Sequence, residues 1–372
     1  MLSHKLNDDT SLAILEPCHA GELYAIVENN RAYLGRYLTW VKRTQCVEDL
    51  ARYIRHNVNR FADEGSPYCG IWHQGVLVGA IDLMGIKGFN RCGEIGYWID
   101  EPYQGRGLVS TACAALIDHS FTALGINRME IQADPANVRS RAIPERFGFT
   151  YEGNLRQIIN MGDHFADRVV YAMLREDWRG SGQQLHFTHQ LTPEAEVRLF
   201  HPHDAAALFA LIDKNREYLR PWMNWIDTTV AVDDSIAFIC NGLCGGIDGT
   251  ERHLALWYRG QLAGVIGTHS IDPQHCHCEV GYWLGEEFQG HGIVTQALGY
   301  LVGRLFTEDN IHRIALRIDA TNTCSKAVAQ RLNFAHEGTF RHAERTAGRV
   351  VDFDRYSLLR EEWTSNVGKD ES

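Results

Sequence analysis

The sequence predicts an α/β protein built from two tandem copies of one domain, each a mixed sheet with helices on both faces. The first observation is a repeat, because positions in the first half of the chain find their counterparts 185 residues later. The second is that strand-like and helix-like segments interleave within one copy without strict β-α-β alternation. The third is the composition, 45% hydrophobic and 22% charged, which is that of an ordinary globular protein.

The repeat defines the domain organisation. Residues 94–107 and 279–292 share eight identities in fourteen positions, and the same offset holds from Asn30/Asn215 to Trp178/Trp363. A period of this length is too long for a solenoid, so each copy should be a whole domain. The polar, glycine-containing stretch at 180–184 is a natural linker. We therefore predict domains over residues 1–180 and 191–372, joined by a linker over 181–190.

The elements of the first copy follow from periodicity. Residues 17–40 and 48–62 carry apolar helical patterns, and His73-Gln74-Gly75 separates two strand-like runs, 68–72 and 76–83. The remaining segments are a strand over 94–99, a helix over 107–124, a strand over 128–133, a short helix over 137–147, and strands near 156–161 and 167–174.

Charge and hydropathy exclude several classes of function. The net charge of −11 opposes general nucleic-acid binding, so any anion needs a local binding device. The absence of an apolar run of about 18 residues and the polar N-terminus argue against membrane spanning and secretion, so we expect a cytoplasmic location.

The ten cysteines are too scattered for a disulfide scaffold and are expected to be mostly reduced. The run His275-Cys276-His277-Cys278, with Cys240 and Cys244 upstream, offers soft metal ligands. Alternate strand residues point to opposite faces, however, and the matching stretch of the first copy keeps only Cys92. A polar hairpin turn is the favoured interpretation, and no metal is expected.

A glycine-containing junction carries the chemistry. A strand from Glu94 leads into Gln104-Gly105-Arg106-Gly107 and then into a helix, an arrangement that leaves N–H groups free to bind a phosphate. His291 only partly reproduces the charge of Arg106 in the second copy. A nonspecific turn remains an alternative. Neither a Rossmann nor a Walker fingerprint fits, because the third glycine and the Gly-Lys-Ser/Thr sequence are missing.

Both copies resemble the GCN5-related N-acetyltransferase (GNAT) family nearly end to end. The acetyl-CoA motif of that family, Gln/Arg-x-x-Gly-x-Gly/Ala, reads here as Gln104-x-x-Gly107-x-Val109 and Gln289-x-x-Gly292-x-Val294. The valines depart from the motif in the manner of enzymes that resemble the RimL and RimJ ribosomal-protein serine/alanine acetyltransferases. The Asn-Arg-x-Tyr-Leu, Glu-Ile-Gly-Tyr-Trp and Asn-x-x-Ser segments suggest the same branch.

The resemblance implies a twisted, mostly antiparallel sheet and acetyl-CoA as cosubstrate. It also implies that the pyrophosphate lies on the amides of 104–110 and that the pantetheine follows the edge where the strand ending at Ile99 splays from the 128–133 strand. The donor-binding residues would be Trp98, Ile99, Gln104, Gly105, Arg106, Gly107, Leu108, Val109, Ser110 and Asn137, with Trp283, Leu284, Gln289, Gly290, His291, Gly292, Ile293, Val294, Thr295 and Asn322 in the second copy.

Glu94 and Glu279 are the general-base candidates, because a carboxylate on a largely buried strand needs a reason to be there. A salt-bridged or solvated glutamate is the alternative. Many family members use a tyrosine to protonate the thiolate, but Pro144 and Ala329 occupy that position here. Ser140 and Ser325 are therefore candidates for this role, unless they serve only as partners of the first helical turn. Asn137 and Asn322 combine the roles of N-cap and donor contact.

The acceptor side is assigned to the segments with the Asn-Arg-x-Tyr-Leu pattern, although such an aromatic stripe is often core. The residues are Asn30, Tyr33, Leu34, Trp40, Asn215, Tyr218, Leu219 and Trp225. The expected acceptor is a protein N-terminal Ser or Ala amine. The alternatives are a small amine, such as an antibiotic or an aminoacyl-nucleotide toxin, and a non-catalytic acyl-CoA-binding module. The two halves are expected to dock as a pseudo-dimer.

Overall fold

The structure is a computed structural model that describes residues 2–87, 89–180, 182, 184–248, 251–272, 274–346 and 348–367. The chain divides into two compact units, Leu2–Phe187 and a second that begins at Thr188. Each unit contains one eight-stranded sheet. Among the described helices, none has the length and apolar character needed to cross a membrane. The predicted α/β class with two sheet-containing domains is confirmed.

The first unit is built on a mixed sheet. Its strands are β1 (His4–Lys5), β2 (Thr10–Ile14), β3 (Tyr68–His73), β4 (Val76–Lys87), β5 (Cys92–Ile99), β6 (Arg128–Ala133), β7 (Thr150–Asn160) and β8 (Phe165–Leu174). They lie in the order β1-β2-β3-β4-β5-β6-β8-β7. Neighbours are antiparallel except β5 and β6, which run parallel. The predicted mostly antiparallel sheet is therefore confirmed.

The helices of this unit are α1 (Ala20–Asn29), α2 (Arg31–Leu34), α3 (Thr39–Arg43), α4 (Val47–Glu64), α5 (Leu108–Thr122) and α6 (Val138–Arg146). The helical pattern predicted over 17–40 is thus divided into short pieces. The break falls at Asn30, whose backbone leaves the helical region at φ −112° and ψ 8°. The Asn30 side chain accepts a hydrogen bond from the N–H of Glu101, a contact that sequence periodicity does not contain.

Burial explains why the main elements form where they do. Leu50, Ile54 and Phe61 recur at helical spacing along α4 and are buried. The helix ends at Gly65, which adopts the left-handed conformation with φ 69°. Strand β3 is buried along nearly its whole length, as expected for a strand covered on both faces. These buried side chains form part of the hydrophobic core of the first unit.

The second unit repeats this architecture. Its strands are β9 (Thr188–Gln190), β10 (Ala195–Leu199), β11 (Arg252–Tyr258), β12 (Gln261–Asp272), β13 (His277–Leu284), β14 (Arg313–Asp319), β15 (Ala335–Thr346) and β16 (Arg349–Leu359), in the order β9-β10-β11-β12-β13-β14-β16-β15. Its helices are α7 (Ala205–Lys214), α8 (Arg216–Leu219), α9 (Val232–Asp248), α10 (Ile293–Thr307), α11 (Thr323–Arg331) and α12 (Arg360–Val367). Again only one neighbouring pair, β13 and β14, runs parallel.

Part of the stretch predicted as a linker packs on the first unit. Ser181 and Gln183 lie outside the described residues. The N–H of Gly182 donates a 2.9 Å hydrogen bond to Asp118, and the side chains of Leu185 and Phe187 are buried. The boundary between the two units therefore falls after Phe187.

Candidate active site

Strands β5 and β6 separate in the middle of the first sheet. They pair in parallel at only three positions, and the pairing stops at Glu94 and Glu130. Strand β5 continues to Ile99 along β4, while β6 continues to Ala133 along β8. Strands β13 and β14 of the second unit stop pairing at the equivalent residue, Glu279. The splaying of the strand that ends at Ile99 from the 128–133 strand, which the resemblance implied, is therefore present, and the second unit repeats it.

A glycine loop lies at the end of β5. Gly105 and Gly107 have φ values of 75° and 78°, in the left-handed region that favours glycine. A Cβ atom at either position would meet nothing within 4 Å, so the backbone conformation rather than lack of space requires glycine. Helix α5 then begins at Leu108 without a side-chain cap at its N-terminus. Its first N–H groups are available to an anion.

The separation and the loop together form one cavity of about 720 Å³ in the first unit. It brings together most of the residues that the sequence assigned to the site. These lining residues are Tyr33, Leu34, Glu94, Trp98, Ile99, Gln104, Gly105, Gly107, Leu108, Val109, Ser110, Asn137 and Ser140. Arg106 is not among them, since its guanidinium lies over the Tyr103 ring and donates to the carbonyl of Pro102.

Three arginines that the sequence analysis did not single out also line this cavity, Arg139 and Arg146 on α6 and Arg168 on β8. The guanidinium of Arg146 donates a 2.7 Å hydrogen bond to Ser110 Oγ in the first turn of α5. A positive side chain is thereby fixed beside the free N–H groups of the helix. An anion at this end of the cavity would meet both the helix dipole and a full charge.

Glu94 lies where β5 and β6 part. Burial, with the neighbouring Glu130, raises the pKa of Glu94, while Arg168 opposes the shift. Among the residues that the structure describes, no hydrogen bond or ion pair engages its carboxylate. A partly buried, unpaired carboxylate that faces a cavity has the properties of a general base.

Glu279 has a different environment. Its Oε1 atom lies 3.6 Å from the guanidinium of Arg355. Its partner across the parallel pairing is Ala315, where the first unit has Glu130. The same carboxylate is thus kept in both units with different charged neighbours.

Ser140 is joined to a tyrosine of β5. The hydroxyl of Tyr97 donates to the carbonyl oxygen of Ser140 at 2.9 Å, and Ser140 Oγ donates to the Tyr97 hydroxyl at 3.3 Å. Tyr282 and Ser325 repeat this pair, with 2.9 Å between their hydroxyl oxygens. Burial raises the pKa of Tyr97 above its usual range and that of Tyr282 to about 12. Both phenols are therefore protonated near neutral pH.

Asn137 and Asn322 are N-caps in the structure. The side-chain oxygen of Asn137 accepts a 3.1 Å hydrogen bond from the N–H of Ser140, and Asn322 does the same for Ser325 at 3.0 Å. Each cap therefore positions the serine of its own unit at the start of the short helix. Pro144 and Ala329, further along these helices, are buried.

Of the four acceptor-side residues of the first unit, only Tyr33 and Leu34 are among the residues that line the cavity. The Tyr33 side chain lies beside Gln104. Asn30 does not line it, because its side chain connects the end of α1 to Asp100 and Glu101 after β5. Trp40 packs on Trp98, with ring centroids 5.8 Å apart.

The counterparts in the second unit keep this arrangement. Gly290 and Gly292 are left-handed, and Gln289 donates a hydrogen bond to the Tyr218 hydroxyl. The ring of His291 stacks on Tyr258 at 4.7 Å. Two contacts of the first unit recur: Asn215 accepts from the N–H of Glu286, and Trp225 packs on Trp283. Of the other assigned residues, Leu219, Trp283, Ile293 and Val294 are buried, and Leu284 and Thr295 are half-buried.

Three residues that line the cavity, Tyr97, Arg146 and Met84, were not among those that the sequence predicted. Tyr97 lies inside the quoted Glu-Ile-Gly-Tyr-Trp motif, but alternation places it on the opposite face from Glu94, and only α6 brings Ser140 to it. Arg146 ends a helix whose relation to α5 is not encoded locally. Met84 lines the cavity from β4, and no signal in the sequence distinguishes it from a core methionine.

The His275–Cys278 segment is placed around the β12–β13 hairpin. Residues 274–276 form a turn, the ring of His275 contacts Asp272 at 2.9 Å, and Cys278 is buried in β13. The side chain of Cys244 lies outside the described residues. The segment therefore has the hairpin geometry that the sequence analysis favoured.

Comparison with known proteins identifies the family. Residues 12–150 and 195–335 each match the acetyltransferase (GNAT) domain. A putative ribosomal N-acetyltransferase of Bacillus subtilis is 33% identical over 48% of this chain and 99% of its own length. A ribosomal-protein-serine acetyltransferase of Escherichia coli is 30% identical over 46% of this chain and 95% of its own length. The solved structure of RimL, a ribosomal L7/L12 alpha-N-protein acetyltransferase in complex with coenzyme A, is 25% identical over 47% of this chain and 99% of that chain, with a TM-score of 0.46. The chain is therefore a member of the GNAT family of N-acetyltransferases, with two tandem acetyltransferase domains that are related to ribosomal-protein N-acetyltransferases.

Proposed function

We propose that the chain transfers an acetyl group from acetyl-CoA to the N-terminal amine of a protein that begins with serine or alanine. The observation that carries this proposal is the repetition, in both units, of the strand separation with a glutamate at its apex and a glycine loop at its end. The relatives named above supply the acceptor class, since two of them are described as ribosomal acetyltransferases and one of these acts on serine.

The residues present fit acetyl-CoA as the donor. The N–H groups of Leu108, Val109 and Ser110 at the start of α5 would hold its pyrophosphate, together with Arg146. The gap beyond Glu94 leaves main-chain groups of β5 without a strand partner on that side. These groups would bind the amides of the pantetheine arm, in the manner of an added strand.

Glu94 would accept the proton of the acceptor amine. Acetyl-CoA supplies an activated thioester carbonyl, and the attacking amine must lose a proton to become the amide. The carboxylate of Glu94 lines the cavity and has no competing partner among the described side chains, so it can take that proton directly or through one water. Its negative charge also attracts the ammonium form of the amine into the site.

The Tyr97–Ser140 pair would return a proton to the leaving thiolate. Ser140 lines the cavity, and its hydroxyl is hydrogen-bonded to a phenol that burial keeps protonated. Tyr97 accepts from Ser140 Oγ and donates to the Ser140 carbonyl, so it orients the serine hydroxyl; a proton that Ser140 passes to the thiolate would be restored through water from the one that Glu94 takes from the amine. The same pair in the second unit supports two competent copies.

The proposal is tested by acetylation assays with the full chain. The panel contains peptides with N-terminal serine, alanine or lysine, the same peptides with a blocked N-terminus, and small amines of the aminoglycoside and aminoacyl-nucleotide classes. We expect product only on free N-terminal serine and alanine peptides. Turnover of the small amines alone would replace the acceptor class, and CoA binding without turnover of any amine would favour a binding module.

A further inference from the structure

Three side chains with metal-binding chemistry converge in the second unit, outside the residues assigned to acetyl transfer. Glu251, His253 and His269 each offer one ligand atom, and these atoms all lie within 4.8 Å of one another. Glu251 Oε2 is 3.7 Å from His253 Nε2 and 3.9 Å from His269 Nδ1. We refer to these three residues as the Glu-His-His cluster.

The sheet register brings the cluster together. Strands β11 and β12 are antiparallel, with Arg252 paired to Thr268 and His253 to Gly267. Glu251, which directly precedes β11, is therefore level with His269 on the neighbouring strand. Glu251 and His253 are two residues apart and point to the same face. The three ligand groups thus project from one end of a single hairpin.

The position of the His253 ring is fixed by its neighbours. A Cβ atom at Gly267 would lie 2.7 Å from His253 Cδ2, so the glycine leaves the space that the ring occupies. The ring stacks on Phe238 of α9, with centroids 4.3 Å apart and planes at 7°. Its Nδ1 side lies against Gly242 of the same helix. These contacts hold the Nε2 side toward Glu251 and restrict the ring before any ligand arrives.

His253 is buried without a hydrogen bond for Nε2. The residue is 6% exposed, and within the described part of the chain this nitrogen has no hydrogen-bond partner. Its 3.7 Å distance to Glu251 is too long for a hydrogen bond. A polar atom left unpaired in the interior is costly unless something binds it.

We propose that the Glu-His-His cluster binds a zinc ion. Two imidazole nitrogens and one carboxylate oxygen are a donor set that zinc takes in proteins, whereas calcium and magnesium prefer all-oxygen sites. Ligand atoms around a tetrahedral zinc stand about 3.4 Å apart. The side chains of Glu251 and His269 are partly exposed and can rotate to close the small remaining difference.

The number of protein ligands also suits zinc. Three protein ligands leave a fourth position of a tetrahedral ion for water or another donor.

The ion would stand next to the candidate active site of the second unit. The Cα of His269 pairs with that of Glu279, and a Cβ at Gly281 would lie 2.7 Å from His269 Nε2. In the first unit, Met84 takes the place of His269 and lines the cavity. The counterparts of Glu251 and His253 there are Ser66 and Tyr68. The first unit lacks this set of ligand side chains, so we expect no equivalent zinc site there.

The test is calorimetric titration of the chelator-treated full chain with Zn²⁺ alone, so it does not depend on any acetylation assay. We expect a saturable zinc site that His269→Ala and Glu251→Gln each weaken by about 100-fold or more, since loss of a direct ligand exceeds the typical 10- to 100-fold effect of an outer-shell partner. His275→Ala, which removes an exposed histidine of the same unit, should bind zinc as the wild type does.

These variants avoid the buried His253, whose truncation could destabilise the unit. His253→Phe, which keeps a ring against Phe238, should remove the same zinc site. Wild-type protein that binds no more zinc than the His269→Ala/Glu251→Gln double variant would overturn the proposal. Equal affinity in the wild type and both single variants would do the same. A wild-type chain that binds zinc but acetylates no amine would count against the proposed function and would leave the proposal of a zinc site intact.

Discussion

Replacing the strand glutamates is the sharpest test of the acetyl-transfer chemistry. We expect Glu94→Gln combined with Glu279→Gln to lower kcat by about 10²-fold or more, the contribution typical of a general base. This corresponds to about 2.7 kcal/mol of transition-state stabilisation. Because the carboxylate of Glu94 has no hydrogen bond among the described residues, Glu94→Gln should disturb neither packing nor a polar network, whereas Glu279→Gln also removes the 3.6 Å ion pair with Arg355.

The assay follows release of the CoA thiol with an acceptor peptide, beside calorimetry of CoA binding. The dissociation constant of CoA should stay within about twofold of the wild-type value, since a base acts mainly in the transition state. Each single variant should retain the activity of the other copy. Unchanged kcat in the double variant would refute the assignment, and a parallel loss of CoA binding would show that the glutamates are structural.

The pH profile gives an independent reading of the same residue. A general base must be ionised, so kcat/KM should rise with pH through the pKa of Glu94, which burial and Glu130 raise above the ordinary glutamate value. Measured in the Glu279→Gln background, Glu130→Gln should move this limb to lower pH, because it removes the negative charge that disfavours ionisation. A limb that does not move, or moves to higher pH, would contradict the assignment.

Three further predictions concern the donor loop, a buried carboxyl and the aromatic stripe. Gly107→Glu and Gly292→Glu should each remove one of two CoA sites in calorimetry, because a side chain strains the left-handed backbone and its charge opposes pyrophosphate; loss of both sites in one variant would contradict independent copies. Burial raises the pKa of Asp82 to about 7, so the folded state retains a proton that the unfolded chain has lost. The free energy of unfolding should fall as pH rises from about 4 to about 7, by at most about 4 kcal/mol, and Asp82→Asn should flatten this dependence in urea titrations at pH 5 and pH 8. Trp40→Ala and Trp225→Ala should raise KM for the acceptor and not for acetyl-CoA; unaltered acceptor KM would mean that the rings only support Trp98 and Trp283.

The sequence predicted the elements that depend on local pattern. The hairpin at Gly75, the strand from Glu94 and the helix after Gly107 all form where periodicity and turn chemistry place them. The duplication supports each of these predictions, because the same pattern recurs 185 residues later in a second copy that must form the same fold. The glycine loop is also predictable from the sequence, because its conformation depends on its own residues.

What the sequence did not predict depends on contacts between distant residues. Tyr97 and Ser140 are 43 positions apart, and their hydrogen bonds exist only because α6 packs where β5 and β6 part. The break of the first helix at Asn30 reflects a contact with Glu101. His253 and His269 are brought together by the register of β11 and β12. Periodicity in a single sequence does not fix the register of two strands to within one residue, so it does not predict this contact. The residues of the nearby His275–Cys278 run, by contrast, are adjacent in the sequence, so their metal-binding chemistry is visible without any knowledge of the fold.

The gap between β5 and β6 has a consequence for how the two copies can diverge. A ligand held in such a gap is recognised through amide and carbonyl groups, which nearly every residue type carries. Substitutions along the strands can then change the side chains around the gap without removing the main-chain groups that would bind the donor. Met84 in one unit and His269 in the other occupy equivalent places beside equivalent gaps. If both gaps bind the donor as proposed, duplication of this fold keeps the main-chain contacts to the donor in each copy while the residues around each gap can change independently toward different acceptors or ligands.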